Sequence, residues 1–230
     1  MKKLYITSLA IAGLSAMTSG YAFDAYSGVM GGAMLSKENR TVTEANATSK
    51  KIEFTYPYQI GSLGGAGDIY AGIGQKFGRF YLGTELDAYY SSSKTKQSYV
   101  DPQSKQTLSS TLANDFGAGA SGILGAYIAP NNMLYARLGV VESHFQGSST
   151  KDSNITGYAG SFSKYDLGAR AGLGLESMFS KHLGMRAEVD YTQYKKFSKS
   201  NTPAEASGYI KNTEFKPSNA AVMFGLDYHF

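Results

Sequence analysis

The stretch that decides the fold is Val222–Phe230, which reads VMFGLDYHF. Five apolar or aromatic residues alternate in it with Met223, Gly225, Asp227 and His229. The five are Val222, Phe224, Leu226, Tyr228 and Phe230. A period of two residues is that of a β-strand whose faces meet different surroundings. The stretch therefore predicts a strand with one apolar face and one mixed face.

This stretch resembles the closing strand of bacterial outer-membrane β-barrels. In that family a C-terminal aromatic residue and the alternating apolar residues before it form the signal that the barrel-assembly machinery reads. The resemblance implies that the five alternating residues are an assembly signal and that this machinery is a partner during biogenesis. From Phe23 onwards the whole chain is similar to the small OmpA/OmpX/Opa-like barrels. That similarity implies a multi-pass protein of a Gram-negative outer membrane, surrounded by outer-membrane lipid and lipopolysaccharide.

The N-terminal residues predict secretion. Lys2 and Lys3 precede an apolar stretch, and small residues follow at Gly20 and Ala22. This is the arrangement of a signal peptide, and we expect cleavage after Ala22. A membrane-anchoring helix is the alternative, but the apolar stretch is short for a span and is interrupted by Ser, Thr and Gly. The sequence thus predicts a signal peptide over 1–22 and a single barrel domain over 23–230.

Composition favours an all-β chain without a cofactor. The sequence holds 27 Gly and 18 Tyr but only 5 Pro, a balance typical of strands joined by turns. It has no Cys, which excludes disulfides and thiolate metal sites. We expect no cofactor, no metal and no nucleic-acid partner.

Eight alternating segments can be counted along the chain, and their connections alternate in length. Short connections on one side and long ones on the other are the plan of outer-membrane barrels. The sequence therefore predicts an eight-stranded antiparallel transmembrane β-barrel with short periplasmic turns and long extracellular loops. A soluble barrel with its apolar face inward is the alternative. The predicted strands are 24–35, 68–77, 80–90, 116–128, 133–145, 165–179, 183–194 and one from about 219, and the predicted long loops are 36–67, 91–114, 146–164 and 195–218.

The face opposite the apolar residues carries charges of both signs. An eight-stranded barrel is just wide enough for side chains to fill it, and a buried charge needs a partner. We expect a structural network that plugs the lumen, with a gated ion path as the alternative. The predicted lumen charges are Glu85, Asp87, Arg137, Asp166, Arg170, Glu176, Arg186, Glu188, Asp190 and Asp227.

The sequence offers little sign of catalysis. Ser143 and His144 are neighbours, so in a regular strand they point to opposite faces and cannot act as a pair. No His–Asp pair is evident from spacing. The glycines of 117–122 match a dinucleotide-binding pattern, but the alternation continues through them as a strand, and no helix follows. We expect a protein that is not an enzyme, with a lipid A-modifying barrel enzyme as a remote alternative.

The predicted long loops are basic. Together they contain 14 Lys and Arg against 7 Asp and Glu. We expect a surface protein that contributes to membrane integrity and binds host factors, such as a glycan or matrix ligand, through these loops. A narrow porin is the alternative. The predicted basic patch of the fourth loop is Lys195, Lys196, Lys199, Lys211 and Lys216.

The assembly signal can be tested at Phe230. Deleting Phe230, or replacing it with Asp, removes the aromatic end of the apolar ladder. We expect the variant to remain unfolded in the periplasm, as measured by loss of surface protein and of heat-modifiable gel migration. Normal surface levels with normal heat-modifiable migration would refute the assignment.

Overall fold

A computed structural model describes residues 23–46, 52–100, 107–149, 160–201 and 209–230. The predicted signal peptide, 1–22, lies outside these residues. No helix in the described ranges is long and apolar enough to cross a membrane. The strands are β1 Asp24–Asn46, β2 Ile52–Phe77, β3 Phe80–Ser91, β4 Lys94–Val100, β5 Thr107–Ala129, β6 Asn132–Ser149, β7 Gly160–Met178, β8 Leu183–Tyr194, β9 Phe197–Asn201 and β10 Tyr209–His229.

Eight of these strands form a closed ring. Each pairs antiparallel with the next in the order β1, β2, β3, β5, β6, β7, β8 and β10, and β10 pairs back with β1 from Tyr26–His229 to Asn46–Tyr209. The short strands β4 and β9 pair with β5 and β10 beyond the point where β3 and β8 end. The prediction of an eight-stranded antiparallel barrel is confirmed.

The apolar face of the sheet points outward. In β3, Phe80 and Leu82 are exposed on the outside, while Glu85 and Asp87 are buried in the interior. The same alternation runs around the ring and is opposite to that of a soluble barrel. An exposed apolar band over a polar interior is the arrangement of a barrel that faces lipid.

The extracellular ends of six of the eight ring strands were predicted wrongly, whereas those of β3 and β8 agree with the structure to within one residue. The first strand was expected to stop at Leu35, but β1 continues to Asn46 and pairs with β2 along the way. In this extension Glu38 and Arg40 are buried, while Lys37 and Asn39, which alternate with them, are exposed and polar. Beyond the membrane the outer face needs no apolar side chains, whereas the backbone ladder continues. The sequence alternation therefore marks the lipid-facing part of a strand and not its end.

Exposed aromatic side chains form two belts on the outer surface, as expected at the two lipid–water interfaces. The periplasmic belt comprises Phe77, Phe80, Phe179, Tyr228 and Phe230, and the extracellular belt comprises Tyr90, Phe116, Tyr165 and Tyr191.

At the periplasmic end, the tight turn between β2 and β3 contains Gly78 with a φ of 63°, a left-handed conformation that glycine adopts without strain.

Topology can be tested with trypsin added to intact cells. Arg79 and Lys181 lie in exposed turns at the periplasmic end, so the membrane should protect them. We expect cleavage only at the other end of the barrel, as at the exposed Lys195 and Lys196 between β8 and β9. Mass spectrometry of the fragments identifies the sites, and cleavage at Arg79 or Lys181 in intact cells would invert the orientation.

Candidate functional site

The predicted lumen charges lie inside the barrel. Nine of the ten are buried, and Asp190 is half-buried. They come from β3, β6, β7, β8 and β10, so the network spans most of the ring. Asp166 lies towards the extracellular end, where its carboxylate accepts a hydrogen bond from Lys164 Nζ at 3.0 Å.

Arg137 is the hub of this network. Its side chain has 0% exposure, and its guanidinium contacts carboxylates from two other strands. Nη2 lies 2.6 Å from Asp87 Oδ1 and 3.1 Å from Glu85 Oε1, while Nη1 lies 2.6 Å from Glu188 Oε1. Nε donates to Ser121 Oγ at 3.1 Å. The hub therefore joins β3, β5, β6 and β8 across the lumen.

Two further arginines extend the network by sharing the same carboxylates. Arg170 Nη1 lies 2.8 Å from Asp87 Oδ2, and Arg186 Nη1 lies 2.6 Å from Glu85 Oε2. Arg186 also contacts Glu176 through Nη2 at 3.1 Å. Because Asp87 and Glu85 each bind the hub as well, the three guanidiniums belong to one continuous network.

Buried tyrosines complete the lumen, and the sequence interpretation did not single them out. Tyr135 donates to Glu188 Oε2 at 2.6 Å, and Tyr26 donates to Glu85 Oε2 at 3.0 Å. Their rings pack against glycines of neighbouring strands, where a Cβ atom would overlap them, as at Gly174 beside Tyr135. The sequence signal that could have revealed these lumen tyrosines is their position on the polar face of the alternating segments. The buried tyrosines are Tyr26, Tyr70, Tyr81, Tyr89, Tyr135 and Tyr194.

A cluster at the periplasmic end has the residue types of a metal site. Ligand atoms of Glu176, Asp227 and His229 lie within 4.8 Å of one another. However, His229 Nδ1 contacts Asp24 Oδ1 at 2.8 Å, and Nε2 contacts Asp227 Oδ2 at 2.7 Å. Carboxylates only accept hydrogen bonds, so both ring nitrogens carry a proton and the imidazole is a cation. Arg186 already pairs with Glu176, and we assign no metal to this cluster.

The extracellular half of the lumen is closed by hydrogen bonds and aromatic rings. Tyr89 donates to Ser143 Oγ at 2.7 Å, and Ser143 Oγ lies 2.9 Å from the hydroxyl of Tyr194. A cavity of about 30 Å³ remains beside this layer, which is room for about one water molecule. Above it, aromatic rings from β6, β7, β9 and β10 pack together. These rings are Phe145, Phe162, Phe197 and Phe215.

The predicted basic patch is spread over two strands and the connection before them. Lys195 and Lys196 lie between β8 and β9 and are exposed. Lys196 Nζ lies 3.4 Å from Glu214 Oε2, in a solvent-exposed ion pair. Lys199, Lys211 and Lys216 lie in strands and not in the predicted loop. Lys216 is exposed, while the side chains of the other two fall outside the described part of the structure.

Ser143 and His144 point to opposite faces, as predicted. Ser143 lies in the lumen, and His144 packs between the outer-surface rings of Phe116 and Tyr165. No His–Asp pair was evident from the spacing, but in the structure His144 Nδ1 lies 2.8 Å from Asp115 Oδ1. An irregular register between β5 and β6, which spacing does not reveal, brings them together.

The energetic weight of the network can be tested by replacing its arginines. Arg137→Met leaves the buried Glu188 without its arginine and takes one of two arginines from Glu85 and Asp87, and we expect a loss of about 3 kcal/mol or more. Arg170→Met removes one ion pair, that with Asp87, and should cost less. The measurement is the urea midpoint of the folded band in lipid vesicles, with Arg79→Met in an exposed turn as the control. Equal midpoints for Arg137→Met and Arg79→Met would contradict the proposed packing role.

Comparison with solved structures identifies similar folds. OprG from Pseudomonas aeruginosa is 15% identical with a TM-score of 0.58, and the match covers 91% of this chain and 97% of that chain. Ail of Yersinia pestis, solved with the heparin analogue sucrose octasulfate, is 11% identical with a TM-score of 0.33, covering 88% and 99%. Neisserial surface protein A is 14% identical with a TM-score of 0.39, covering 87% and 99%. At 15% identity, the match to OprG shows a shared fold alone.

The family comparison covers almost the whole sequence. No curated protein is similar in sequence to this chain. The model described as "Outer membrane protein beta-barrel domain" matches residues 8–230. This agrees with the predicted resemblance, with the closed ring and with the outward apolar face. The chain belongs to the outer membrane protein β-barrel domain family and is a protein of the outer membrane.

Proposed function

We propose that this protein is a closed-lumen surface barrel that supports outer-membrane integrity and presents a basic extracellular end to polyanionic host glycans. The observation that carries the proposal is the exposure of Lys195, Lys196 and Lys216 at the extracellular end of a filled barrel. Binding of outer-membrane lipid, of lipopolysaccharide and of the assembly machinery belongs to the same proposal.

The filled lumen supports a structural role over a channel. The three arginines and their carboxylates are buried at the middle of the barrel, and the aromatic rings cover its extracellular end. Moving an ion through this region would require breaking contacts of 2.6 Å between Arg137 and its partners. Breaking buried ion pairs costs several kcal/mol, so the narrow-porin alternative is disfavoured.

Charge at the extracellular end supports polyanion binding. In addition to the three exposed lysines near β9, Lys94 and Lys96 of β4 are exposed at the same end. Exposed charges attract over roughly 8 Å at physiological salt, so Lys195, Lys196 and Lys216, which lie beside one another where β9 pairs with β10, act together on a polyanion, while β4 lies on the other side of the ring. Sulfated and sialylated glycans have the complementary charge.

Heparin chromatography of the refolded protein tests this role. We expect retention at low salt and elution as the salt rises, because salt screens the attraction between exposed lysines and sulfates. The triple variant Lys195→Gln, Lys196→Gln, Lys216→Gln should elute at clearly lower salt while keeping heat-modifiable migration.

The matched control removes three positive charges from the opposite end, with Lys76→Gln, Arg79→Gln and Lys181→Gln. All three residues are exposed near the periplasmic turns. If both triple variants elute at the same salt, the effect is one of net charge and the extracellular end is not a binding surface. Flow-through of the wild type at low salt would leave the integrity role alone, which dye permeability of a deletion strain measures.

A further inference from the structure

A β-bulge rearranges the outer surface at the extracellular aromatic belt. In the β5–β6 ladder, Asn114 lies opposite Phe145 and Gly117 lies opposite Ser143. Two residues of β5, 115 and 116, therefore face the single residue 144 of β6. Bulges of this kind redirect side chains and are common beside active sites. Here the bulge brings a carboxylate and an aromatic ring onto the same outer patch as His144.

The histidine in this patch joins a serine and an aspartate. His144 Nδ1 lies 2.8 Å from Asp115 Oδ1, and His144 Nε2 lies 2.7 Å from Ser163 Oγ. The same carboxylate oxygen accepts the backbone N–H of Phe116 at 3.0 Å, which holds it in place. A carboxylate only accepts hydrogen bonds, so in the neutral imidazole Nδ1 carries the proton and Nε2 accepts from the serine hydroxyl. This is the tautomer in which histidine activates a serine nucleophile.

The base is held rigidly, and the nucleophile is accessible. The imidazole lies between the rings of Phe116 and Tyr165, with centroid distances of 4.8 Å to each, and His144 is only 6% exposed. Ser163 is exposed on the outer face. A buried histidine base that is fixed by packing, next to an exposed serine that a substrate can reach, is a geometry that favours catalysis because the reacting groups are already oriented.

The position of the group indicates the class of substrate. Tyr165 and Phe116 belong to the extracellular aromatic belt, and Ser163 lies two residues beyond Tyr165, about 6.5 Å further along β7 on its extracellular side. Aromatic belts lie at the membrane–water interface, where the acyl chains of a bilayer lipid join their headgroup through ester bonds. The serine hydroxyl is therefore presented at the level of outer-leaflet acyl esters.

An open groove adjoins the serine and suits a phosphate-bearing headgroup. Its volume is about 450 Å³, and its lining is mostly small or polar, with one cation and one aromatic ring, that of Phe162. Lys94 supplies that cation, which attracts a lipid phosphate. Gln146 lies directly opposite Ser163 in the β6–β7 ladder, on the same face, where its amide N–H can stabilise a developing oxyanion. The polar lining comprises Lys94, Thr111, Gln146, Ser148, Ser161 and Ser163.

We propose that Ser163 and His144, positioned by Asp115, hydrolyse an acyl ester of a phosphate-bearing outer-leaflet lipid. Ser163 Oγ attacks the ester carbonyl while its proton passes to His144 Nε2. The carbon–oxygen bond of the ester then breaks, and the departing alcohol takes that proton from the imidazolium. Water, deprotonated by His144, attacks the acyl-serine, releases the fatty acid and returns the proton to Ser163. This activity goes beyond the surface-binding role and revises the expectation that the protein is not an enzyme.

Covalent labelling tests the nucleophile independently of turnover. The refolded full-length protein in lipid vesicles is treated with an alkyl fluorophosphonate, and the labelled residue is located by mass spectrometry. We expect the label at Ser163 in the wild type and none in Ser163→Ala. Ser198→Ala is the matched control, because Ser198 is exposed in β9 at the same end of the barrel and does not line the groove. An unlabelled wild type, or a label that survives Ser163→Ala, would overturn the proposal.

Fatty-acid release identifies the lipid and tests the other two residues. Vesicles of phosphatidylethanolamine and phosphatidylglycerol form one arm, and purified lipopolysaccharide forms the other. Release from either arm that falls at least about a hundredfold in His144→Ala supports the proposal and names the source. Asp115→Asn should lower kcat with little change in KM, and Asp115→Glu should recover part of it. No release from either arm by wild type with normal heat-modifiable migration would reject the proposal.

Discussion

The constraint on which this structure depends is that no backbone polar group in lipid can be left without a hydrogen bond. The ring meets it by pairing β10 with β1 over their length, so the membrane part has no free edge. Once the sheet is closed, alternate side chains must point into a lumen only wide enough for side chains. Closure, and not a preference for buried charge, thus creates the polar interior.

Within that interior, sharing of carboxylates ties distant strands together. Asp87 and Glu85 of β3 each contact arginines from two other strands, and Glu188 of β8 meets Arg137 of β6 across the lumen. Slipping one strand by one residue would place its charges in lipid and its apolar residues inside. We interpret the network as a device that fixes the register of strands that are not neighbours in the ring.

The sequence predicted the facing of side chains correctly where contact with lipid imposes the apolar alternation. Facing of Glu85, Arg137 and Arg186 followed from alternation alone, because one face of each strand meets acyl chains. Strand ends such as Asn46 could not be predicted, since the backbone hydrogen-bond ladder continues beyond the part of the strand that faces lipid, where apolar alternation is no longer required. The contact between His144 and Asp115 was missed for a different reason. It depends on a register irregularity between two strands, which is a property of the pairing and not of either segment alone.

The wall of this barrel is a single peptide layer, and this has a mechanical consequence at Ser143 and His144. The serine is braced inside by the hydroxyls of Tyr89 and Tyr194, while the next residue presents its imidazole outside. No second layer of protein separates the inner surface of the wall from the outer one. A substitution or ligand that shifts the tyrosines inside would tilt the histidine outside, so the two surfaces of the wall cannot evolve independently.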